Sequence, residues 1–399
     1  MKALLLENIH PDAVAILEAA GLEVETRAGA LGTDDLIAAL DGVSLLGIRS
    51  NTKVTAEVLA AAPDSLLAIG AFCIGTNQID LDAAAARGIA VFNAPFSNTR
   101  SVVELVMAEI IVLARHLTDR STQMHQGKWV KSATGSHEVR GKTIGIVGYG
   151  NIGSQLSVLA ESYGMRVIYF DIADKLALGN AKRCLTLDEL VEAADVVTIH
   201  VDGRASNSGL FDESVIAKMK DRAFLMNLSR GHVVDLGSLA RHLRSGHLAG
   251  ASIDVFPSEP KSAGDPFVHE LQGIDNVILT PHVGGSTQEA QVDIGHYVAG
   301  KLFEFVSTGS TVMSVNLPNV QGPERTGGHR VLHFHHNVPG VLAKLNAVLA
   351  DHSANVAFQA LSTRGEYGYV ITDVSAADRG LTEELSAMSE AIRVRVIRD

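Results

Sequence analysis

A glycine-rich turn after an apolar strand limits the folds open to this chain more than any other feature. The predicted strand Thr143–Val147 runs directly into Gly148, Gly150 and Gly153, which have the spacing G-x-G-x-x-G. The first glycine permits a tight turn, the second lets the backbone approach a pyrophosphate, and the third lets a helix pack closely on the strand. This arrangement predicts a parallel α/β sheet with a dinucleotide site at the turn.

The residues after the turn support the same interpretation. Residues 154–163 have a helix-compatible pattern, and a second strand, Arg166–Phe170, ends on Asp171. Free N–H groups and the positive dipole end at a helix N-terminus favour phosphate binding. A carboxylate at position 171 suits the two hydroxyls of a ribose and would repel a 2′-phosphate. An isolated G-x-G-x-x-G is often only a turn, but all these parts in order predict NAD as the cofactor in preference to NADP.

Composition restricts the classes of partner. The formal net charge of −12, from 33 basic and 45 acidic side chains, argues against nucleic acid or an anionic membrane as a partner. Apolar runs such as 105–113 are too short to span a bilayer. Two cysteines, Cys73 and Cys184, are too few for a disulfide framework, which favours a reducing, cytoplasmic setting. Any anionic substrate must therefore be attracted by a local basic cluster.

Short apolar strands alternate with amphipathic helices along two segments. In residues 1–95 the predicted strands are 3–6, 23–26, 45–48, 66–69 and 90–92, with helices at 12–20, 34–40, 56–61 and 80–86. In residues 142–281 the predicted strands are 143–147, 166–170, 196–200, 223–228, 251–255 and 277–280. Such alternation predicts two α/β domains with parallel sheets. Helix 102–117 would join the two domains, and helix 286–306 would return to pack on the first.

The C-terminal part of the chain has a different pattern. Residues 306–328 are rich in Ser, Thr, Gly, Pro and Asn, a composition typical of a linker. Residues 330–399 have the order strand, helix, strand, strand, helix, strand, which predicts a small α+β domain. The predicted fold class is α/β, and the predicted domains are a substrate domain (1–97 with 286–318), a nucleotide domain (98–285) and a tail domain (329–399).

Three polar residues stand where predicted strands of the second domain end. Arg230 follows strand 223–228, Glu259 follows strand 251–255, and His282 follows strand 277–280. The carboxyl ends of the strands line the ligand crevice of a doubly wound sheet, so these side chains should meet beside the cofactor. Oxidation of a 2-hydroxy acid needs a neutral His to take the hydroxyl proton, a carboxylate to orient it and an Arg to bind the substrate carboxylate. Taken singly, each is more often a surface or capping residue.

Three segments resemble signatures of the NAD-dependent D-2-hydroxyacid dehydrogenases. They are NLSRG (227–231), DVFPSEP (254–260) and TPHVGGST (280–287). The segments IGAFCIGTNQID (69–80) and FNAPFSNTRSVV (92–103) resemble the branch of that family that oxidises 3-phosphoglycerate, and the tail resembles an ACT regulatory domain. The resemblance covers nearly the whole chain. It implies Rossmann-like and flavodoxin-like parallel-sheet domains followed by a βαββαβ domain.

The resemblance also implies roles for single residues. Arg230 would bind the substrate carboxylate, His282 would accept the proton, and Glu259 would be the partner of His282. The residues implied to bind NAD are Gly148, Gly150, Asn151, Ile152, Gly153, Asp171, Leu228, Ser229, Asp254, Val283, Gly284 and Gly285. Those implied to bind the small-molecule substrate are Arg49, Ser50, Asn98 and, from a neighbouring subunit, Lys131.

The phosphate-binding segment departs from the family pattern at one position. Arg49 directly follows the predicted strand 45–48, so it lies at the carboxyl end of that strand. Short bacterial members carry a second basic residue where this chain has Asn51, which offers a hydrogen bond but no charge. Recognition of the phosphate is therefore less firmly implied than the type of reaction.

The tail contains a cluster of polar residues. His333 and His335 alternate onto one strand face, but no Cys or carboxylate follows at ligand spacing, which argues against a metal site. The resemblance instead implies that free L-serine binds across a subunit interface to His335, Asn337 and Asn355. His336 replaces the usual acidic residue and Val338 a common arginine, so sensitivity to serine is expected to be altered.

Taken together, the resemblance implies NAD-dependent oxidation of 3-phospho-D-glycerate to 3-phosphonooxypyruvate, the first step of serine biosynthesis. It further implies a homo-oligomer, most often a tetramer, that is inhibited by L-serine. One alternative is a sister dehydrogenase acting on glycerate, hydroxypyruvate or 2-hydroxyglutarate, which Asn51 faintly favours and Arg49 and the tail disfavour. A more distant alternative is an NADH-sensing binding protein, against which the tail domain and the lack of a basic segment argue.

Overall fold

The computed structural model describes residues 1–260, 264–325 and 327–398 and divides the chain into two compact units. The first unit combines Met1–Ser97 with Gln291–Asp399, and the second is Asn98–Ala290. Asp399, the last residue of the predicted tail domain, lies outside the described residues. The predicted α/β fold class is confirmed, whereas the division into three domains with the boundaries given above stays a prediction.

The first unit begins with a five-stranded parallel sheet in the order β2-β1-β3-β4-β5. Its strands are β1 (Lys2–Leu5), β2 (Glu23–Thr26), β3 (Val43–Ile48), β4 (Ala68–Ala71) and β5 (Ala90–Asn93). The helices between them are α1 (Pro11–Ala19), α2 (Thr33–Ala39), α3 (Ala56–Ala61) and α4 (Leu81–Ala86). Strands β3, β4 and β5 are buried along their whole length, as expected when helices cover both faces of a parallel sheet. Residue Arg49 therefore lies directly beyond the carboxyl end of β3.

The second unit is built on a seven-stranded parallel sheet in the order β12-β11-β10-β9-β6-β7-β8. Its strands are β6 (Thr143–Val147), β7 (Arg166–Phe170), β8 (Lys182–Arg183), β9 (Val196–Ile199), β10 (Phe224–Asn227), β11 (Gly250–Ile253) and β12 (Val277–Leu279). Its helices are α5 (Thr99–Arg115), α6 (Leu117–His125), α7 (Asn151–Ser162), α8 (Leu187–Ala193), α9 (Glu213–Ile216) and α10 (Leu236–Arg244). Counted within the unit, this is the doubly wound order 3-2-1-4-5-6 with one further strand. The order reverses between β6 and β9, which places the ligand crevice at their carboxyl ends.

The helix α11 (Gln288–Thr308) returns to the first sheet as the sequence predicts. A Cβ built on Gly70 of β4 would lie 2.7 Å from Val298 and 2.9 Å from Leu302, so the helix packs directly on the strand backbone. The linker prediction for residues 306–328 is wrong over its first half. Asn316 accepts the N–H of Val91 at 2.9 Å and donates to the carbonyl of Ile89 at 2.8 Å. Ser314 also donates to the carbonyl of Val91, and Thr311 donates to the carbonyl of Pro318 within the stretch, so these polar side chains are buried and bonded instead of facing solvent.

The tail forms a four-stranded antiparallel sheet in the order β14-β15-β13-β16. Its elements are β13 (His329–His336), α12 (Val341–Asp351), β14 (Val356–Arg364), β15 (Tyr367–Val374), α13 (Arg379–Ala387) and β16 (Ala391–Ile397). Val331 faces a core formed with the two helices, whereas Leu332 and Phe334 join the core that contains Phe92 and Phe305. The other face of the tail sheet is thus packed on the rest of the first unit. Within the described part of the chain, no helix is long and apolar enough to cross a membrane.

Candidate active site

The glycine-rich turn has the geometry that a dinucleotide requires. Gly148 has φ of +94°, and a Cβ there would lie 2.6 Å from the carbonyl oxygen of His200. A Cβ on Gly153 would lie 2.3 Å from the carbonyl oxygen of Gly148, so α7 can pack on the strand only without a side chain. A Cβ on Gly150 would meet nothing within 4 Å, which leaves open space at the start of α7. The turn therefore fits a bound pyrophosphate, and Asn151 and Ile152 begin the helix beside it.

Asp171 connects this turn to the end of β7. One carboxylate oxygen accepts the N–H of Tyr149 at 2.8 Å, and the other accepts the N–H of Ala173 at 2.8 Å. The side chain is only partly buried, and each oxygen can accept further hydrogen bonds. Asp171 is therefore both fixed relative to the glycines and able to receive ribose hydroxyls.

The structure brings His282 and Glu259 together. The distance between His282 Nδ1 and Glu259 Oε2 is 3.0 Å, and the N–H of Phe256 donates to the second oxygen of Glu259 at 3.1 Å. These contacts hold the carboxylate in place and assign the Nδ1 proton to the bond with Glu259. The other ring nitrogen, Nε2, is then the one that can exchange a proton with a substrate.

The charges of the pair reinforce each other. The hydrogen bond that His282 donates to Glu259 raises the pKa of His282, although burial and the positive charge of Arg230 act in the opposite direction. Burial alone would raise the pKa of Glu259, but the bond with His282 and the N–H of Phe256 outweigh burial and lower it. Arg230 also lowers the pKa of Glu259, so the guanidinium lies within electrostatic range of both residues. At neutral pH the site thus holds a carboxylate, a guanidinium and an imidazole that can change its charge.

A buried asparagine shapes the turn that carries Arg230. Asn227 at the end of β10 accepts the N–H of Ser229 at 3.1 Å and its hydroxyl at 2.8 Å, and donates to the carbonyl of Arg230 at 3.0 Å. A Cβ on Gly231 would lie 2.0 Å from the backbone of Phe256, so only glycine allows the chain to pass there. Leu228 and Ser229 are themselves buried, and a cofactor could contact them only at their backbone or small exposed edges. Their predicted role in NAD binding stays a prediction.

Asp254 holds the turn that carries His282. Its carboxylate accepts the hydroxyl of Thr280 at 2.6 Å and the N–H groups of Val283 and Gly284 at 2.8 Å each. Its carbonyl accepts the N–H of His282 at 2.8 Å, and His282 has φ of +54°, an unusual value for a residue other than glycine. Asp254 is only 1% exposed, so its clearest role here is to position the turn. Direct contact with NAD stays a prediction.

Asn98 lies against the same turn. A Cβ on Gly285 would lie 2.0 Å from its amide nitrogen, so the two residues are in close contact. Its Oδ1 is buried and has no hydrogen-bond partner among the described residues. Buried acceptors normally have a hydrogen-bond partner, so this oxygen is available to a donor group of a bound ligand.

The remaining predicted substrate residues lie on exposed or partly exposed loops. The backbone N–H groups of Arg49, Asn51 and Thr52 all donate to the carboxylate of Glu7, which fixes the loop after β3. Lys131 lies on an exposed stretch between α6 and β6, and its contact with a neighbouring subunit stays a prediction. Sequence reasoning missed Glu7, which belongs to no motif, and it missed the bonding role of Asn227, although Asn227 opens the segment 227–231.

The predicted effector residues are spread along the tail sheet. Asn337 donates its N–H to Glu366 at 2.8 Å, at the hairpin between β14 and β15. Asn355 pairs with Ser375 at the other end of β15, which places the two asparagines roughly 30 Å apart within one chain. His335 is 3% exposed and its Nδ1 lies 3.2 Å from Nδ1 of His333. One small molecule could contact Asn337 and Asn355 only if they came from different copies of the chain.

The side chains of His333 and His335 are both uncharged at neutral pH. Burial and the neighbouring His335 lower the pKa of His333 to about 4. Burial also lowers the pKa of His335. The described residues contain no group of three or more His, Cys, Asp or Glu side chains placed to hold a metal ion.

Comparison with known proteins places the chain among enzymes. The family profile described as D-isomer specific 2-hydroxyacid dehydrogenase, NAD binding domain, matches residues 107–284. A second profile, described as an AHAS small subunit-like ACT domain, matches residues 331–395. The resemblance inferred from the motifs is therefore confirmed for both parts of the chain.

Individual relatives are similar over their full length. The chain is 50% identical to a D-3-phosphoglycerate dehydrogenase of Haemophilus influenzae over 399 residues, covering 100% of this chain and 97% of that protein. It is 48% identical to the D-3-phosphoglycerate dehydrogenase of Escherichia coli K12, with the same coverage. A solved structure of D-lactate dehydrogenase from Aquifex aeolicus, complexed with NAD and lactic acid, matches with a TM-score of 0.66 and 25% identity over 76% of this chain and 95% of that one. NAD as the cofactor is thereby confirmed. Since half of the residues are shared over the whole of this chain and 97% of a relative, the chain belongs to the D-3-phosphoglycerate dehydrogenases, within the NAD-dependent D-2-hydroxyacid dehydrogenase family.

Proposed function

We propose that the chain oxidises 3-phospho-D-glycerate to 3-phosphonooxypyruvate, the first step of serine biosynthesis. The observation that carries the proposal is the 3.0 Å contact between His282 and Glu259, with Arg230 close enough to influence both. Relatives that share about half of their residues with this chain are named D-3-phosphoglycerate dehydrogenases. Two independent observations thus support the proposal: the site contains the groups that oxidation of a 2-hydroxy acid needs, and the relatives of the chain are dehydrogenases of that kind.

Each residue of the site has a task in the reaction. Nε2 of His282 takes the proton of the C2 hydroxyl, and Glu259 stabilises the imidazolium that forms, because its carboxylate already accepts the Nδ1 proton. Arg230 binds the substrate carboxylate through two parallel hydrogen bonds, for which a guanidinium is well suited. NAD, when bound, accepts the hydride from C2. Asp171 and the turn at Gly150 would hold the ribose and the pyrophosphate of NAD, and the His282–Gly285 turn would contact the cofactor near its reacting end.

The substrate phosphate requires a separate set of donors. We assign this role to Arg49 and Ser50, to Asn98, whose side-chain NH2 group can donate, and to Lys131 of a neighbouring subunit. Arg49 is the only one of the first three that carries a charge. An unphosphorylated acid is the alternative substrate, because Asn51 leaves this loop with less positive charge than expected.

Turnover assays with NAD test the proposal directly. The rate of NADH formation is compared for 3-phospho-D-glycerate, D-glycerate and 2-hydroxyglutarate, and the phosphorylated acid should have the largest kcat/KM. Arg49→Ala should raise KM for 3-phospho-D-glycerate by about 10–100-fold, since a hydrogen bond to a charged group contributes about 1.5–3 kcal/mol. Arg27→Ala, an exposed arginine in the same unit, is the control. Equal turnover of glycerate and its phosphate would refute the assignment.

The same proposal includes inhibition by L-serine. A free amino acid needs acceptors for its ammonium group and donors for its carboxylate, and an asparagine side chain supplies both. Asn337 and Asn355 lie at opposite ends of the tail sheet, so we place the serine between two copies of the chain, where Asn337 of one meets Asn355 of the other. Binding there would bias the assembly without competing with the substrate.

Mixed oligomers test this arrangement. Asn337→Ala and Asn355→Ala should each abolish serine inhibition, since every site loses one of its two residues. When the two variants are mixed and allowed to exchange subunits, each mixed pair has one site with both asparagines intact, so part of the inhibition should return. Inhibition that stays absent in the mixture would refute a site shared between copies, and wild-type turnover unaffected by millimolar L-serine would refute the effector itself.

A homo-oligomer is also supported by the surface of the second unit. The large apolar side chains of Met124, Trp129 and Val130 are 52%, 79% and 55% exposed, and Leu117 is 44% exposed. Exposed apolar residues grouped in one stretch favour a protein partner. We assign this stretch to contacts within a homotetramer, to be tested by light scattering of the wild type and of Trp129→Glu.

We further place the enzyme in the cytoplasm, in keeping with its two cysteines.

A further inference from the structure

A buried carboxylate accepts hydrogen bonds from the loop that carries Arg49. Glu7 follows β1 and is 7% exposed. Its Oε1 accepts the N–H of Arg49 at 3.1 Å and that of Thr52 at 2.9 Å, and its Oε2 accepts the N–H of Asn51 at 2.9 Å. Three of the four N–H groups from 49 to 52 therefore point at one side chain, and only Ser50 is left out. A ligand at this loop would be bound by side chains and by the N–H of Ser50.

The carboxylate is charged when it makes these bonds. Burial by itself would raise the pKa of Glu7, but the hydrogen bonds from the loop outweigh burial and keep the pKa below its ordinary value. Hydrogen bonds to an ionised acceptor are stronger than those between neutral groups. The loop is thus held by charge-assisted bonds at neutral pH.

The backbone around Glu7 is in an unusual conformation. Glu7 and the next residue, Asn8, have φ of +64° and +53°, in the left-handed region that most residues avoid. Such a conformation persists where the surrounding contacts specify it, and it aims the Glu7 side chain at the loop. On the other side, Gln78 donates its amide to the carbonyl of Arg49 at 2.7 Å. Both polar backbone groups of Arg49 are therefore fixed, which fixes the direction in which its side chain leaves the chain.

We propose that Glu7 is a positioning residue for recognition of the substrate phosphate, because it sets the conformation of loop 49–52 and thereby the placement of Arg49. This inference rests on the proposed function. The role of Glu7 is indirect: its oxygens are occupied by the loop, and a negative charge would repel a phosphate in direct contact. Its contribution should therefore appear in the binding of phosphorylated compounds and leave the chemical step unchanged.

The test compares Glu7→Gln with the wild type. Glutamine keeps the size of the side chain, but it removes the charge and turns an NH2 group toward at least one N–H donor. KM for 3-phospho-D-glycerate should rise by about tenfold or more, and the inhibition constant of inorganic phosphate as a competitor should rise by a similar factor. The value of kcat should stay within about threefold, and the Kd of NADH, from fluorescence titration, should not change. Glu18→Gln, an exposed glutamate of α1, is the matched control.

Two further measurements make the outcome decisive. Glu7→Asp keeps the charge but cannot reach all three N–H groups, so it should raise the same two constants. Unchanged constants in both variants would overturn the proposal. So would variants that do not fold or that lose NADH binding, because Glu7 would then serve the stability of the chain in general. If the wild type itself does not oxidise 3-phospho-D-glycerate, the proposed function has failed, and the variants are not needed to show it.

Discussion

Glu109 provides a quantitative prediction about the core of the second unit. This glutamate of α5 is 4% exposed, and its Oε2 accepts the hydroxyl of Ser252 at 2.8 Å. Its Oε1 is buried and has no hydrogen-bond partner among the described residues. Burial raises the pKa of Glu109 to about 7, the bond from Ser252 opposes part of that shift, and the charge of Asp254 adds to it. Glu109 should therefore be protonated in the folded chain over much of the acidic range.

The raised pKa makes the stability of the unit depend on pH in a defined direction. Below the ordinary pKa of 4.5 the carboxyl is protonated in both the folded and the unfolded chain, so it makes no pH-dependent contribution to the free energy of unfolding. Between 4.5 and about 7 the unfolded chain releases the proton first, so the free energy of unfolding falls as pH rises. A shift from 4.5 to about 7 corresponds to about 3 kcal/mol, and the loss is complete above the folded pKa.

Glu109→Gln should remove this dependence, since a neutral amide replaces the carboxyl. The variant and the wild type should unfold at nearly the same temperature at about pH 4, where the carboxyl is mostly protonated in both states. At about pH 8 the variant should be the more stable, with a midpoint higher by roughly 6–12 °C in scanning calorimetry. Glu104→Gln is the control, because that residue is on the same helix with its side chain 59% exposed. A difference between Glu109→Gln and the wild type that is the same at both pH values would refute the reasoning.

Three variants of the active site give further predictions. His282→Ala should lower kcat by about 10²–10⁴-fold with little change in the Kd of NADH, and activity within a few-fold of the wild type would exclude His282 as the base. Glu259→Gln removes the bond that raises the pKa of His282, so the acid limb of kcat/KM for oxidation should move to lower pH, and an unmoved limb would contradict the pairing. Asp171→Ala should weaken NAD binding and reduce the preference over NADP, measured as the ratio of the two kcat/KM values, and an unchanged ratio would show that Asp171 does not face the ribose.

The elements that position the site were predictable because their signals are local. An apolar run that ends at a glycine marks β6 and its turn, and the same logic located the strands before Arg230, Glu259 and His282. The strand β8 carries no such signal, since it consists of the two exposed residues Lys182–Arg183 and was not predicted. Sequence reasoning therefore located the edge of the sheet where the chemistry lies, but not every strand of the sheet.

The residues that support the site were not predictable, because their partners are distant along the chain. Glu7 bonds to a loop more than forty residues away, and Glu109 bonds to Ser252 across a separation of 143 residues. Neither the charge nor the neighbours of a lone glutamate indicate that it is buried. Asn227 is a partial exception, since it belongs to the segment 227–231 that carries the family signature, but its clamp on the turn of Arg230 is visible only in the structure.

The docking of the tail changes how regulation should be studied. A linker would leave the tail free, but Arg330 is fully buried, pairs with Asp373 through two bonds of 2.6 and 2.7 Å, and donates to the carbonyl of Thr308 at 3.0 Å. Arg393 donates to the carbonyl of Leu66 at 2.6 Å, immediately before β4. Removing the tail would expose the apolar face beneath it and leave these carbonyls without their donors, so a truncated chain would lose stability as well as any effector site. Point variants are therefore the better test of serine binding. The contact at Leu66 also connects the tail to β4, which pairs directly with β3, the strand that precedes Arg49.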